Sequence, residues 1–154
     1  MNISREPIRQ AIIVTPEGTT QATLSQVEAY TWNHPDGQEI TWNITHARDL
    51  IDNRPPDFPV VLANMRELLA NNPNAPEFNR EYAMTTDLTK PLFAVLMFED
   101  KTAHLVLIDG WHRVVKAVAT NTAQLPVCVL RPNEDMACRC RFEPALNAMV
   151  PLHP

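Results

Sequence analysis

Runs of apolar residues divide the chain into short predicted strands. The largely apolar runs 92–98 (LFAVLMF) and 104–109 (HLVLID) are joined by the turn-like segment 99–103 (EDKTA), which predicts an antiparallel pair. Residues 8–14 (IRQAIIV), followed by the turn signal PEG, predict an earlier strand, and residues 125–130 (LPVCVL) predict a later one. The pattern therefore indicates a sheet built from short segments.

Helical spacing of apolar residues predicts helices between these strands. Segments 60–72 (VVLANMRELLANN) and 111–122 (WHRVVKAVATNT) each place their apolar residues on one face, and 77–83 (EFNREYA) predicts a further short helix. The two apolar faces consist of Val61, Met65, Leu68 and Leu69, and of Trp111, Val114, Val115 and Val118. The second helix lies between two predicted strands, which indicates a strand–helix–strand crossover.

Turn residues set the remaining boundaries. Asp36-Gly37 predicts a hairpin turn, and Trp32 and Trp42 flank it at a separation that would pair them across the two strands. The prolines of 51–59 (IDNRPPDFP) exclude a helix and predict a loop. The proline-containing tail 131–154 is predicted to be irregular.

Length and composition favour one mixed α/β (α+β) domain over residues 1–154, with a mixed sheet and flanking helices. The chain has 154 residues, of which 45% are hydrophobic and 20% charged, and this composition excludes collagen-like and wholly disordered proteins. Its longest apolar run, 92–98, is far shorter than the roughly 18 to 20 residues of a membrane span. The charged N-terminus MNISREPIRQ does not resemble a secretory signal, so a cytoplasmic location is expected.

The charge is unevenly distributed along the chain. The net charge is −5, which disfavours DNA as a general partner. Residues 1–100 contain seven basic and fourteen acidic residues, whereas residues 101–154 contain six and four. An anion-binding site is therefore expected in the last third of the chain.

The three cysteines do not predict a disulfide framework, because their number is odd. Cys128 lies in an apolar run and is expected to be a small buried residue. Cys138 and Cys140 are separated by one residue, closer than the usual spacing of zinc ligands, and no second pair exists. The interpretation as ordinary buried thiols is favoured over a metal site.

The most informative segment for function is 109–113 (DGWHR), where a predicted strand meets a predicted helix. Gly110 allows a tight turn, and the first amide groups of a helix bind phosphate well. His112 and Arg113 add an imidazole and a guanidinium in the first turn. Two interpretations stand equally here: an anion site, and a structural corner in which Asp109 caps the helix or pairs with Arg113 and Trp111 anchors the core.

The segment IDGWHRVVKAVATNTAQLPVCVL, with the preceding hairpin KPLFAVLMFEDKTAHLVLIDG, resembles the ParB/sulfiredoxin superfamily over residues 85–130. The form D-G-x-H-R is similar to that of free-serine kinases and ParB-like nuclease domains. Sulfiredoxins have their catalytic cysteine at the position of Trp111, so sulfinic-acid reduction is not expected. A complete partition protein is not expected either, since those proteins continue into long DNA-binding helical domains.

The resemblance implies a site that holds the phosphates of a nucleotide (ATP, ADP or CTP) or of a phosphorylated small molecule. Gly110, Trp111, His112 and Arg113 would form it, with Lys90 as a further contact. Asp109 and His112 are the candidate catalytic residues, and Asp109 would hold a Mg²⁺. The expected activity is phosphoryl transfer or hydrolysis of a nucleotide or phosphodiester. The alternative is a non-catalytic nucleotide-sensing or protein-interaction module of a plasmid, phage or other mobile element.

Overall fold

A computed structural model describes residues 11–15, 18–22, 28–34, 36–99, 101–145 and 148–152. The elements in chain order are β1 (Ala11–Thr15), β2 (Gly18–Ala22), β3 (Ala29–Asn33), β4 (Glu39–Asn43), α1 (Ile44–Leu50), β5 (Phe58–Val61), α2 (Leu62–Ala70), a 3₁₀ turn (Ala75–Glu77), α3 (Arg80–Met84), β6 (Leu92–Glu99), β7 (Thr102–Asp109), α4 (Trp111–Ala119), β8 (Gln124–Val129), α5 (Pro132–Cys138), β9 (Arg139–Glu143) and β10 (Ala148–Pro151). The predicted mixed α/β class is confirmed.

The chain divides into two compact units. The central unit comprises residues 51–131, and the terminal unit comprises residues 2–50 and 132–154. Each unit contains a four-stranded sheet of its own. That the whole of 1–154 forms one domain stays a prediction.

The central unit is built on a mixed sheet with the strand order β5-β8-β6-β7. β6 and β7 pair antiparallel, as predicted, while β8 runs parallel to β6 on its other side. β7 and β8 therefore run in opposite directions with β6 between them, so the predicted strand–helix–strand order is present but its two strands are not neighbours. Helix α4 packs against α2 and α3.

Two predicted boundaries of the central unit are wrong. Val60 and Val61, assigned from their spacing to the first helix, belong to β5, and that helix starts at Leu62. The predicted loop 51–59 ends at Asp57, because Phe58 and Pro59 pair with β8. Pro59 is compatible with a strand here because β5 lies at the edge of the sheet.

The core of the central unit is mainly apolar, and both its helices and its sheet contribute side chains to it. The buried face of α4 consists of Trp111, His112, Val114 and Ala117, whereas Val115 and Val118 are only half-buried. Other fully buried side chains of this unit are Met65, Leu92, Val95, Ile108, Leu125, Val127 and Cys128. The prediction that Cys128 is a small buried residue is confirmed.

The terminal unit contains the predicted hairpin. β3 and β4 pair antiparallel around the turn at Asp36-Gly37, where Gly37 has a φ of +93°. The predicted pairing of the two tryptophans is wrong, since Tyr30 is opposite Trp42 and Trp32 is opposite Ile40. The Trp42 ring stacks on Tyr30 instead, with ring centroids 6.4 Å apart.

The tail after Arg131 is not irregular, contrary to the prediction. It forms α5, β9 and β10, and β9 adds to the sheet of the terminal unit in the order β10-β9-β4-β3. Buried Asp135 fixes α5 to this sheet, because its carboxylate accepts a 2.7 Å hydrogen bond from Trp42 Nε1 and forms an ion pair with Arg139.

Two further predictions can be compared with the described residues: the first strand and the absence of a membrane span. The predicted strand 8–14 corresponds to β1 in residues 11–14, and residues 8–10 lie outside the described part. Among the described residues, no helix has the length and hydropathy needed to cross a membrane.

Candidate functional site

The predicted corner lies where β7 ends and α4 begins. Gly110 occupies the N-cap position of α4 with a left-handed φ of +101°, and as a glycine it has no side chain with which to cap the helix. A Cβ at Gly110 would lie 2.4 Å from Leu92 Cδ2. Glycine is therefore required here both by the backbone conformation and by the close approach of β6.

The Arg113 side chain hydrogen-bonds the main chain just before β6. Its Nη1 donates to the carbonyl oxygen of Lys90 at 3.0 Å and to that of Pro91, and its Nη2 lies 3.5 Å from Asp109 Oδ2. Both charged side chains are largely buried, with 14% of Arg113 and 8% of Asp109 exposed. The guanidinium is thus engaged with main-chain carbonyls and a carboxylate, one of the two arrangements left open by the sequence.

The aromatic side chains of the corner belong to the core. The His112 ring lies 5.4 Å from the ring of Phe78 and 4.9 Å, edge-on, from that of Tyr82. Trp111 stacks on Phe78 at 5.9 Å and donates from Nε1 to the Leu107 carbonyl at 3.1 Å. His112 and Trp111 are consequently buried, which limits their direct contact with a ligand.

Lys90 is exposed two residues before β6 begins. Close by, hydrogen bonds from Thr89 hold the pKa of Asp87 below its usual value, with smaller contributions from Lys90 and Lys116. Lys116 also donates from Nζ to the Thr86 carbonyl at 2.7 Å. The segment 86–91 therefore places Lys90 and Asp87 at the surface, and its Thr86 carbonyl contacts Lys116 in the last turn of α4.

The structure brings together some of the predicted site residues and separates others. Lys90, Asp109, Gly110 and Arg113 meet at one corner through the Arg113 contacts. The His112 side chain turns toward the 3₁₀ turn and α3 instead. The expectation that imidazole and guanidinium face one common anion is therefore not met in this arrangement, because each side chain packs against a different element.

The predicted Mg²⁺ does not fit the side chains of this corner. Asp109 is nearly buried against a guanidinium, and the described residues contain no group of three or more histidine, cysteine or acidic side chains arranged to hold a metal ion. A buried carboxylate that faces Arg⁺ is a poor ligand for a hydrated Mg²⁺, which keeps several waters. Asp109 is the ion-pair partner of Arg113 in this structure, and its role as a metal ligand stays a prediction.

Several residues that shape the corner were not predicted. Leu92, the first residue of β6, lies against Gly110, and the carbonyl of the preceding Pro91 accepts from Arg113. Phe78 and Tyr82 pack on His112. Of these residues, only Pro91 could be identified from the sequence, because a proline often precedes the first residue of a strand. The aromatic contacts arise from tertiary packing and have no local sequence signature.

Comparisons of the chain with protein-family models, curated proteins and solved structures found no match. The assignment of a function therefore depends on the chemistry of the corner.

Proposed function

We propose that this chain is a non-catalytic nucleotide- or phosphate-binding module that uses the start of α4, and that it is related to the ParB/sulfiredoxin superfamily. The observation that carries the proposal is the helix start itself: a nine-residue helix whose N-cap residue is a left-handed glycine, which has no side chain to occupy the space in front of the first amides. The first amides of a helix lack intrahelical acceptors and carry partial positive charge, which favours phosphate.

Two cationic residues, Arg113 and Lys90, are in contact near this helix start. Arg113 hydrogen-bonds the Lys90 carbonyl at 3.0 Å, so both residues lie beside the same corner. The Lys90 side chain is exposed and supplies charge directly. On binding, a phosphate would compete with the Pro91 and Lys90 carbonyls for the guanidinium, and charge-assisted bonds are the stronger ones.

A binding role fits the corner better than catalysis. The two candidate catalytic residues, Asp109 and His112, are both buried, the former against Arg113 and the latter against aromatic rings. A general base must come within hydrogen-bonding distance of its substrate. Asp109 and His112 are too little exposed to contact a substrate in this way. A cytoplasmic site of action is proposed with it, because the three cysteines are free thiols, as in reducing compartments.

The test is calorimetric titration with ATP, ADP and CTP, each with and without Mg²⁺. We expect Lys90→Ala to weaken binding by roughly fivefold, the loss of about 1 kcal/mol from one phosphate contact. Lys101→Ala, which removes another exposed lysine of the central unit at the β6–β7 turn, is the matched control and should bind like the wild type.

Two results would contradict the proposal. Absence of heat with every nucleotide would leave the corner a purely structural turn, and equal effects of the two lysine variants would place any binding elsewhere. If the protein converts the bound nucleotide to product and the Asp109→Asn variant does not, the protein is an enzyme and the proposal of a non-catalytic module is wrong.

A further inference from the structure

The turn that follows α2 buries two side-chain amide groups. Asn72 is 3% exposed and Asn74 is half-buried, but the Nδ2 atoms of both residues are inaccessible to solvent. Neither Nδ2 atom has a hydrogen-bond acceptor among the described residues. Buried polar groups in folded proteins are nearly always hydrogen-bonded, to protein or to ordered water, because an unpaired donor is costly. The two amide groups therefore point to a bound acceptor.

Main-chain contacts hold the two amide groups in one tight turn. Asn72 Oδ1 accepts a 2.9 Å hydrogen bond from the main-chain nitrogen of Asn74, and the Asn72 carbonyl accepts from Ala75 N at 3.1 Å. The first of these bonds also fixes the Asn72 carboxamide, because its oxygen has to face the donating nitrogen. The Asn74 carbonyl accepts from Glu77 N at 3.0 Å in the 3₁₀ turn. Both donors thus belong to the same short segment, 72–74.

This turn lies within a segment that runs back along α4. The segment begins beside the end of α4, where Leu62 N donates to the Ala123 carbonyl at 2.9 Å. It reaches the start of α4 at Phe78, whose ring stacks on Trp111 at 5.9 Å. Because residues 72–74 join α2 to the 3₁₀ turn, the conformation of this turn decides where Phe78 packs.

The chemistry of the turn favours water over an ion as the acceptor. A cation is excluded because amide nitrogens only donate. An anion buried here would need a counter-charge, yet the charged residues nearest in sequence on the two sides, Glu67 and Glu77, are both acidic. A water molecule accepts from both amide groups without adding charge. It can donate in turn to carbonyl groups at the end of α2, since the last turn of a helix has carbonyls without intrahelical donors.

We propose that Asn72 and Asn74 bind one internal water molecule, which ties the end of α2 to the 3₁₀ turn. The water satisfies both Nδ2 groups and holds the turn that brings Phe78 to Trp111 and His112. The site does not depend on phosphate binding at the start of α4, so each proposal can fail without the other.

Cross-relaxation between water and the side-chain amide protons tests the proposal in the wild-type protein. The measurement is made at mildly acidic pH, where these protons exchange slowly with solvent. The NOE and the rotating-frame NOE from water to the Asn72 and Asn74 amides should have opposite signs, as for a water molecule with a long residence time. The side-chain amide of Asn71, the exposed neighbour, is the internal control and should lack this signature.

Two variants separate a water held by both amides from contact with surface solvent. Asn74→Leu removes one of the two donors and should abolish the long-residence signature at Asn72, whereas Asn71→Leu, the matched control, should leave it unchanged. If Asn72 and Asn74 behave like Asn71 in the wild type, or if Asn72 keeps its signature in Asn74→Leu, the proposal is wrong. Shifts of both amides during a chloride or phosphate titration would equally contradict it, because the acceptor would then be an ion.

Discussion

Single residues at the β7–α4 corner each have a definite packing role. Gly110 makes the left-handed turn against Leu92, and Arg113 joins Asp109 to the Lys90 and Pro91 carbonyls. The same contacts that shape the start of α4 also join it to the chain at the start of β6. A substitution at this corner therefore affects stability as well as the binding we propose, and the two effects have to be measured separately.

Gly110→Ala should destabilise the protein by about 2 to 4 kcal/mol. A left-handed alanine costs about 1 to 2 kcal/mol, and its Cβ would overlap Leu92, which is buried and has little room to move. The free energy of unfolding from urea titrations measures the effect.

Gly37→Ala is the matched control for this experiment. Gly37 also has a positive φ, of +93°, but a Cβ there would have no atom within 4 Å. We expect it to cost about 1 kcal/mol, from backbone strain alone. Equal losses in the two variants would show that the contact between Gly110 and Leu92 has no energetic consequence.

At the level of elements, the junction between α5 and β9 carries two buried thiols. Cys138 ends the helix and Cys140 lies in the strand opposite Thr41. Burial raises the pKa of both thiols to about 12, and the nearby Asp135 adds to the effect at Cys138. Both cysteines are thus held as neutral side chains at neutral pH.

These raised pKa values predict a loss of stability at alkaline pH. The neutral thiols contribute fully below the unfolded value of 9.0, and the contribution is lost as the pH rises toward about 12. Under reducing conditions, unfolding free energies measured at about pH 8 and 10.5 should fall by at most about 1.4 kcal/mol per pH unit for each thiol. The double variant Cys138→Ala/Cys140→Ala should fall less steeply, and identical slopes would contradict the assignment.

Elements with strong local signals could be predicted, and those decided by pairing partners could not. The β6–β7 pair, α4 and the Asp36-Gly37 turn follow from apolar runs, helical spacing and a turn dipeptide. The sequence pattern at Val60 and Val61 fits a helix as well as a strand. They form a strand because they pair with β8. In the tail, Pro132 at the first position of α5 and acidic residues in its first turn were signals that the proline content obscured.

For the whole molecule, the sequence predicted the strand–helix junction at Gly110 but not the arrangement of the side chains around it. The strand–glycine–helix order and the position of Arg113 near Lys90 follow from local pattern and the family resemblance. The burial of His112 involves Phe78 and Tyr82, which belong to neither β7 nor α4 and which no local pattern pairs with this histidine. That packing shifts the favoured role from catalysis to binding.

The central claim is that the start of α4 binds phosphate, and an amide ¹H–¹⁵N spectrum during nucleotide titration tests it most directly. The backbone amides of Gly110, Trp111 and His112 should show the largest shift changes, and these should saturate together with the change at Lys90. Inorganic phosphate should move the same amides at higher concentration. If these amides stay unmoved while the nucleotide binds, or if the largest changes map to the terminal unit, the claim is contradicted.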